Sequence, residues 1–113
     1  MANPSVVSSI AGEKTQSLAK GDGDGYTYKY YAEQTGTIRF YIRGTVDSCM
    51  SVTNNRNSAQ RTTDSDGQAD GSGNLYVDIE VNAGDELIIL IGAVPDKRGN
   101  YPADTVVWSG QYI

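Results

Sequence analysis

Two short runs of this 113-residue chain bring carboxylates close enough together to hold a hard cation: GDGDG at 21–25 and TDSDGQADGSGN at 63–74. Calcium is bound by closely spaced carboxylate and carbonyl oxygens on a glycine-rich loop. The same aspartates and glycines also make ordinary turns between strands. Laid on the EF-hand spacing, Asp66, Gln68, Asp70 and Gly71 occupy the first, third, fifth and sixth places, but the last place, which needs a bidentate glutamate, falls on Val77. The EF-hand therefore fails. The expectation is at most one calcium site, within 64–71, where Asp64, Asp66 and Asp70 converge on one ion. GDGDG reads as a tight turn whose Asp22 and Asp24 stay in water.

Other chemistry is thinly provided for. The chain has no histidine, and its one cysteine, Cys49, has no imidazole to activate it. No serine sits in a strained elbow motif, and the acids fall mostly in turns rather than as a pair facing across a cleft. The chain therefore reads as non-catalytic.

The aromatics are the stronger signal. Eight tyrosines and one tryptophan in so small a chain point to stacking on flat ligands such as sugar rings, with arginine, aspartate, asparagine and glutamine supplying hydrogen bonds. Tyr31, Tyr41 and Tyr76 fall on strand faces beside Arg39 and Arg43, although cross-strand packing also explains them there. Tyr101 lies in a glycine- and proline-containing loop. In the last strand Val106, Trp108, Gly110 and Tyr112 share one face and Val107, Ser109, Gln111 and Ile113 the other. Alternation leaves open which of these is buried, and a lone tryptophan in a small domain more often serves the core. The candidate ligand-binding set is Tyr101, Trp108, Tyr112, Tyr31, Tyr41, Tyr76, Arg39 and Arg43.

The elements that must position these residues are all strands. Segments rich in Tyr, Val, Ile and Thr alternate with a period of two and are cut at short intervals by glycine clusters, with no helical periodicity between them. This predicts an all-β fold over 1–113: a single antiparallel β-sandwich, jelly-roll or Greek-key, of about seven to eight strands. The strands are expected at 15–20, 26–32, 37–43, 47–54, 58–62, 75–81, 86–92 and 105–113. Residues 26–43 read as a hairpin. Burying Lys29 unpaired would be costly, so Tyr26, Tyr28 and Tyr30 turn inward with Ile38, Phe40 and Ile42. The outer face then carries Lys29, Tyr31, Arg39, Tyr41 and Arg43. Leu75, Val77, Ile79 and Val81 alternate as core positions, leaving Tyr76, Asp78 and Glu80 outside. The unbroken run Leu87–Ile91 predicts a central strand covered on both faces, with 94–103 folding over one of them.

Charge and length narrow the partners. A net charge of −5, a pI near 4.4 and scattered basic residues exclude a phosphate-binding stripe, so nucleic acid is not expected. No apolar run is long enough to insert in a membrane, and no signal-peptide pattern opens the chain. A lone cysteine forms no internal disulfide. The MANPSVV start suits a module cut from a larger secreted or cell-surface protein, the favoured reading, or a native start such as that of a virion protein.

The pattern GDGDGYTYKYYAEQTGTIRFYI, followed by VNAGDELIILIG and TVVWSGQY, resembles the β-sandwich accessory modules of bacterial extracellular proteins, including carbohydrate-binding modules and the pre-peptidase C-terminal type. The correspondence runs from Asp24 through Ile42 and from Ala83 through Ile91. It implies a calcium-tolerant sandwich that binds polysaccharide or spaces neighbouring modules, and it assigns no individual binding residue. A single tryptophan and no row of planar aromatics depart from the usual carbohydrate-binding pattern. Two functions follow: a non-catalytic glycan-binding module, or a structural or interaction domain such as a spacer or a virion decoration protein.

Overall fold

The computed structural model describes residues 4–18, 26–44, 48–93 and 104–113. GDGDG, the 94–103 segment and Tyr101 lie outside the described residues. Among the described residues, ten strands and one helical turn run in the order β1 (Ser5–Val6), β2 (Lys14–Leu18), β3 (Tyr26–Tyr31), β4 (Gly36–Gly44), β5 (Ser48–Asn54), β6 (Ala59–Thr62), α1 (Thr63–Asp66), β7 (Gln68–Ala69), β8 (Leu75–Val81), β9 (Glu86–Ala93) and β10 (Asp104–Tyr112). Two of the ten, β1 and β7, are two-residue pieces; the other eight match the expected segments. The first sheet has the order β1, β3, β9, β5, β6 and the second β2, β10, β4, β8, β7. All pairings are antiparallel except β1 beside β3. The all-β sandwich is as the alternating pattern predicts.

Alternation also assigns the core. Ile38, Phe40 and Ile42 of β4, Val77, Ile79 and Val81 of β8, and Leu87, Ile89 and Ile91 of β9 are buried, with Met50, Val52, Val106 and Trp108 among them. Phe40 stands opposite Val77 on one side and Gly110 on the other. A β-carbon at Gly110 would come within 2.9 Å of Ile10 Cδ1 and 3.0 Å of the Phe40 ring, so only glycine lets these side chains close over the strand. Strand β9 is central in its sheet, as expected. Its outward Ile88 and Leu90 are only half-buried by the described residues.

The expected hairpin over 26–43 does not form. Strand β3 pairs with β9 and β1, whereas β4 pairs with β10 and β8 in the other sheet. Inward and outward assignments depend only on alternation and hold along the strands, except that Tyr26 and Leu75, expected in the core, stand at the ends of β3 and β8 and are each 39% exposed. The outer face divides, however: Lys29 and Tyr31 lie on the first sheet, and Arg39, Tyr41 and Arg43 on the second.

The reason is in the loops. The 32–35 connection crosses between sheets beside the 82–85 connection, which makes the same crossing. Ala32 N donates to Asp85 O at 2.8 Å, Gly84 N to Ala32 O at 2.7 Å and Ala83 N to Thr35 Oγ1 at 3.0 Å. Gly84, at φ +88°, makes the turn possible. Buried Asp85 accepts from Asn82 N at 2.7 Å, Asn54 Nδ2 at 2.8 Å and Arg56 Nε at 2.8 Å, which ties the β5–β6 turn into the same knot. These bonds hold the Asp85 carboxyl below the ordinary carboxylate range, the Asn82 amide contributing most.

Candidate functional site

The second sheet turns one face to solvent, and its register gathers four of the eight candidate residues there. Tyr41 pairs with Tyr76 across β4 and β8, and with Ser109 across β4 and β10; Arg39 pairs with Asp78 and Gln111; Arg43 pairs with Val107. Because side chains alternate, all of these point outward together. The tyrosine rings are 6.0 Å apart, tilted by 52°. Arg39 lies over Tyr76, its guanidinium carbon 4.2 Å from the ring centroid, and grips Asp78 through two bonds of 2.8 and 2.9 Å. That bidentate pairing holds the guanidinium firmly protonated, the Asp78 hydrogen bonds being the main cause.

Further polar groups fix the rings. Gln111 Nε2 donates to the Tyr41 hydroxyl at 3.1 Å, and the Tyr76 hydroxyl donates to Gln68 Oε1 at 3.2 Å. Arg43 bonds Glu13 of the approach to β2 and reaches Asn74 Oδ1 at 3.5 Å. The Arg43 hydrogen bond lowers the Glu13 carboxyl below its usual range.

Two grooves flank the tyrosine pair. The larger, about 330 Å³, is lined by Glu13, Tyr41, Arg43, Asp70, Ser72, Asn74, Val107 and Ser109. Tyr41 and Val107 supply its apolar surface and the rest a rim of donors and acceptors. The smaller, about 240 Å³, lies beyond Tyr76 and is lined by Arg61, Asp66, Gln68, Tyr76, Val77 and Asp78. Aromatic surface with convergent polar groups suits a flat, hydroxylated ligand.

The remaining candidates lie elsewhere. Trp108 is 1% exposed and packs in the core, with the Tyr28 ring 5.0 Å away and Lys14 Nζ 4.9 Å from its centroid. Its face is closed to a ligand, which corrects its inclusion in the binding set. The burial follows from size: the largest apolar side chain fills the space between the sheets. Tyr112 is half-buried against the core, and its hydroxyl meets that of Tyr30 at 3.0 Å and accepts from Glu33 N at 2.9 Å. Burial, reinforced by Tyr112, raises the Tyr30 phenol well above the usual range. Tyr31, 46% exposed, stands on the opposite sheet with its hydroxyl 3.1 Å from Glu86 Oε2, and so cannot join Tyr41 and Tyr76 on one ligand. Cys49 is half-buried and desolvation pushes its thiol up, which disfavours the thiolate.

The three aspartates expected to share a cation do not converge. Residues 63–66 form a helical turn anchored by buried Thr63, whose Oγ1 accepts from Met50 N at 3.0 Å. Asp66 Oδ2 accepts from Thr62 N at 3.0 Å. Asp70 closes the β7–β8 turn instead, accepting from Ser72 N at 2.7 Å, Asn74 N at 3.1 Å and Asn74 Nδ2 at 2.8 Å. The Asn74 side chain is the main cause of its lowered pKa. Among the described residues no three His, Cys, Asp or Glu side chains gather as a metal site. Amide donors have taken Asp66 and Asp70 oxygens that the spacing offered to an ion.

Sequence reasoning missed Glu13, Asn74, Val107, Ser109, Gln111 and Gln68. Three of these were accessible in principle: once Trp108 faces inward, alternation puts Val107, Ser109 and Gln111 outward. The others depend on which strands are neighbours.

No family model and no curated protein sequence matches the chain. Solved structures do share its fold. The pre-peptidase C-terminal domain of collagenase from Bacillus anthracis matches with a TM-score of 0.70 and 12% identity, over 96% of this chain and 95% of that one. PliG of Aeromonas hydrophila, a periplasmic inhibitor of g-type lysozyme, matches with a TM-score of 0.52 and 13% identity, over 96% of each chain. At such identities the likeness is one of fold.

Proposed function

We propose that this is a non-catalytic glycan-binding module of an extracellular or cell-surface protein, and that it holds its ligand on the outer face of the second sheet. The observation carrying this reading is the larger groove, where Tyr41 and Val107 form an apolar floor inside a rim of Arg43, Glu13, Asp70, Asn74, Ser72 and Ser109. Sugar rings present an apolar face and equatorial hydroxyls, so they need both at once. The site is preformed: hydrogen bonds and ion pairs within the protein already orient Tyr41, Tyr76, Arg39 and Arg43, which reduces the ordering lost on binding. The accessory-domain fold of the collagenase neighbour supports the module reading. Isothermal titration against soluble plant, starch and host glycans tests it. Heat of binding for wild type that disappears in Tyr41→Ala, with melting temperature retained, is the expected result; silence across the panel refutes it.

The fold of the lysozyme inhibitor favours a second reading, an interaction domain whose partner is a protein. Binding of g-type lysozyme in the absence of any glycan response, or self-association measured by light scattering, would replace the first reading with this one.

A further inference from the structure

We propose that the ligand is a neutral, linear glycan chain lying across the strands of the second sheet, in preference to a terminal sugar or a polyanionic glycan; this rests on the glycan-binding reading above. Register places Ser109, Tyr41, Tyr76 and Gln68 in a single row across β10, β4, β8 and β7. Three strand-to-strand steps span about 14 Å, longer than one sugar ring. The row does not end in a wall. The larger groove runs along the Arg43 side of the row, from Val107 and Ser109 of β10 past Tyr41 to Asn74 of the β7–β8 turn, and the smaller lies at its β7 end beside Tyr76. A chain laid over the pair therefore reaches polar groups on both sides, whereas a single sugar uses one groove and leaves the other hydrated.

Charge decides the chemical class. Arg39 is bound in bidentate fashion to Asp78, Arg43 is paired with Glu13, and Arg61 Nη1 donates to the Gln60 carbonyl at 2.8 Å. Each guanidinium lining the track is thus already engaged, two of the three by a carboxylate. Asp66 and Asp70 add negative charge to the two grooves, on a chain of net charge −5. A uronate or sulfate would have to displace a resident carboxylate while being repelled by the others. Hydroxyl and acetamido groups meet no such penalty and can donate to Glu13, Asp70 and Asp66.

The test is titration of wild type, Tyr41→Ala, Arg61→Ala and Gln68→Ala with malto-, cello-, xylo- and chito-oligosaccharides of two and six units, and with polygalacturonate and heparin oligosaccharides. Melting temperatures check that each variant is folded. We expect one neutral series to bind, its hexasaccharide about tenfold or more tighter than its disaccharide. Gln68→Ala and Arg61→Ala should bring the hexasaccharide toward the affinity of the disaccharide without altering the disaccharide itself. Equal affinity for both lengths, or a hexasaccharide indifferent to Gln68→Ala and Arg61→Ala, overturns the chain proposal while leaving the glycan reading intact. Preferential binding of the polyanions, weakening as salt is raised, overturns the neutral assignment. No binding of any saccharide removes both.

Discussion

Adding one methyl group at Gly110 probes how tightly the two sheets close. Its amide donates to Ile10 O at 2.7 Å, and an alanine β-carbon would sit 2.9 Å from Ile10 Cδ1 and 3.0 Å from both Phe40 Cδ1 and Cε1. Ile10 and Phe40 are themselves buried, so neither can swing into water. Overpacking of this kind costs about 1–3 kcal/mol. The backbone at Gly110 is not left-handed, so alanine also gains about 0.4–1 kcal/mol by restricting the unfolded chain. The net loss is about 1–2 kcal/mol, or a fall in Tm of roughly 4–8 °C for a domain of this size.

The clash can be located by relieving half of it. Ile10→Val removes only Cδ1 and alone costs about 0.5–1.5 kcal/mol; on the Gly110→Ala background it should cost nearly nothing, because it deletes the nearer of the two obstacles. Urea unfolding of the four proteins in this double-mutant cycle reads the coupling. A stabilised Gly110→Ala, or strictly additive single changes, refutes the reasoning, since either outcome means that the sheets are not closed at this point.

Asp85 has a lowered pKa because the Asn82 amide, Asn54 and Arg56 bond its carboxylate, so its stabilisation is present above the unfolded value of about 3.9 and is lost as pH falls through the folded value. The Tm gap between wild type and Asp85→Asn should therefore narrow as thermal melts are moved from pH 6 to pH 3; a gap that is constant or widens contradicts this. Trp108 is enclosed, so its emission should resist iodide quenching and stay unchanged on saturation with any glycan that binds; a ligand-induced shift would reopen its assignment. Tyr41→Ala should weaken glycan binding by about tenfold or more, as hot-spot aromatics do, while Tyr31→Ala on the other sheet leaves it unchanged, and titration of the two side by side decides. If calcium raises Tm, Asp64→Ala and Asp66→Ala should retain the full shift between chelator and millimolar calcium; loss of the shift in either variant would show that the helical turn rearranges around the ion.

What the sequence determined on its own is local. A period of two assigned Ile38, Phe40, Ile42, Val77, Ile79 and Val81 inward and Arg39, Tyr41, Tyr76 and Asp78 outward, because neighbouring side chains on an extended backbone must point to opposite sides whatever the strand is paired with. The cost of burying Lys29 oriented β3 by the same kind of reasoning, and the absence of histidine removed whole classes of catalysis. What only the tertiary structure decided is adjacency. Residues 26–43 look like a hairpin because two strands joined by a short glycine-containing link usually pair; here the 32–35 link is bonded to the 82–85 turn and carries the chain into the other sheet, so Tyr31 and Tyr41 end on opposite faces. The spacing of Asp64, Asp66 and Asp70 admits a cation, but once β6, β7 and β8 are in place the Thr62 amide donates to Asp66 and the Ser72 and Asn74 amides donate to Asp70. Tyr41 and Tyr76, far apart in the chain, form one platform only because β4 and β8 are neighbours in register. That register is set by how the apolar faces of β4 and β8 pack into a shared core, a long-range condition that no local stretch of residues carries.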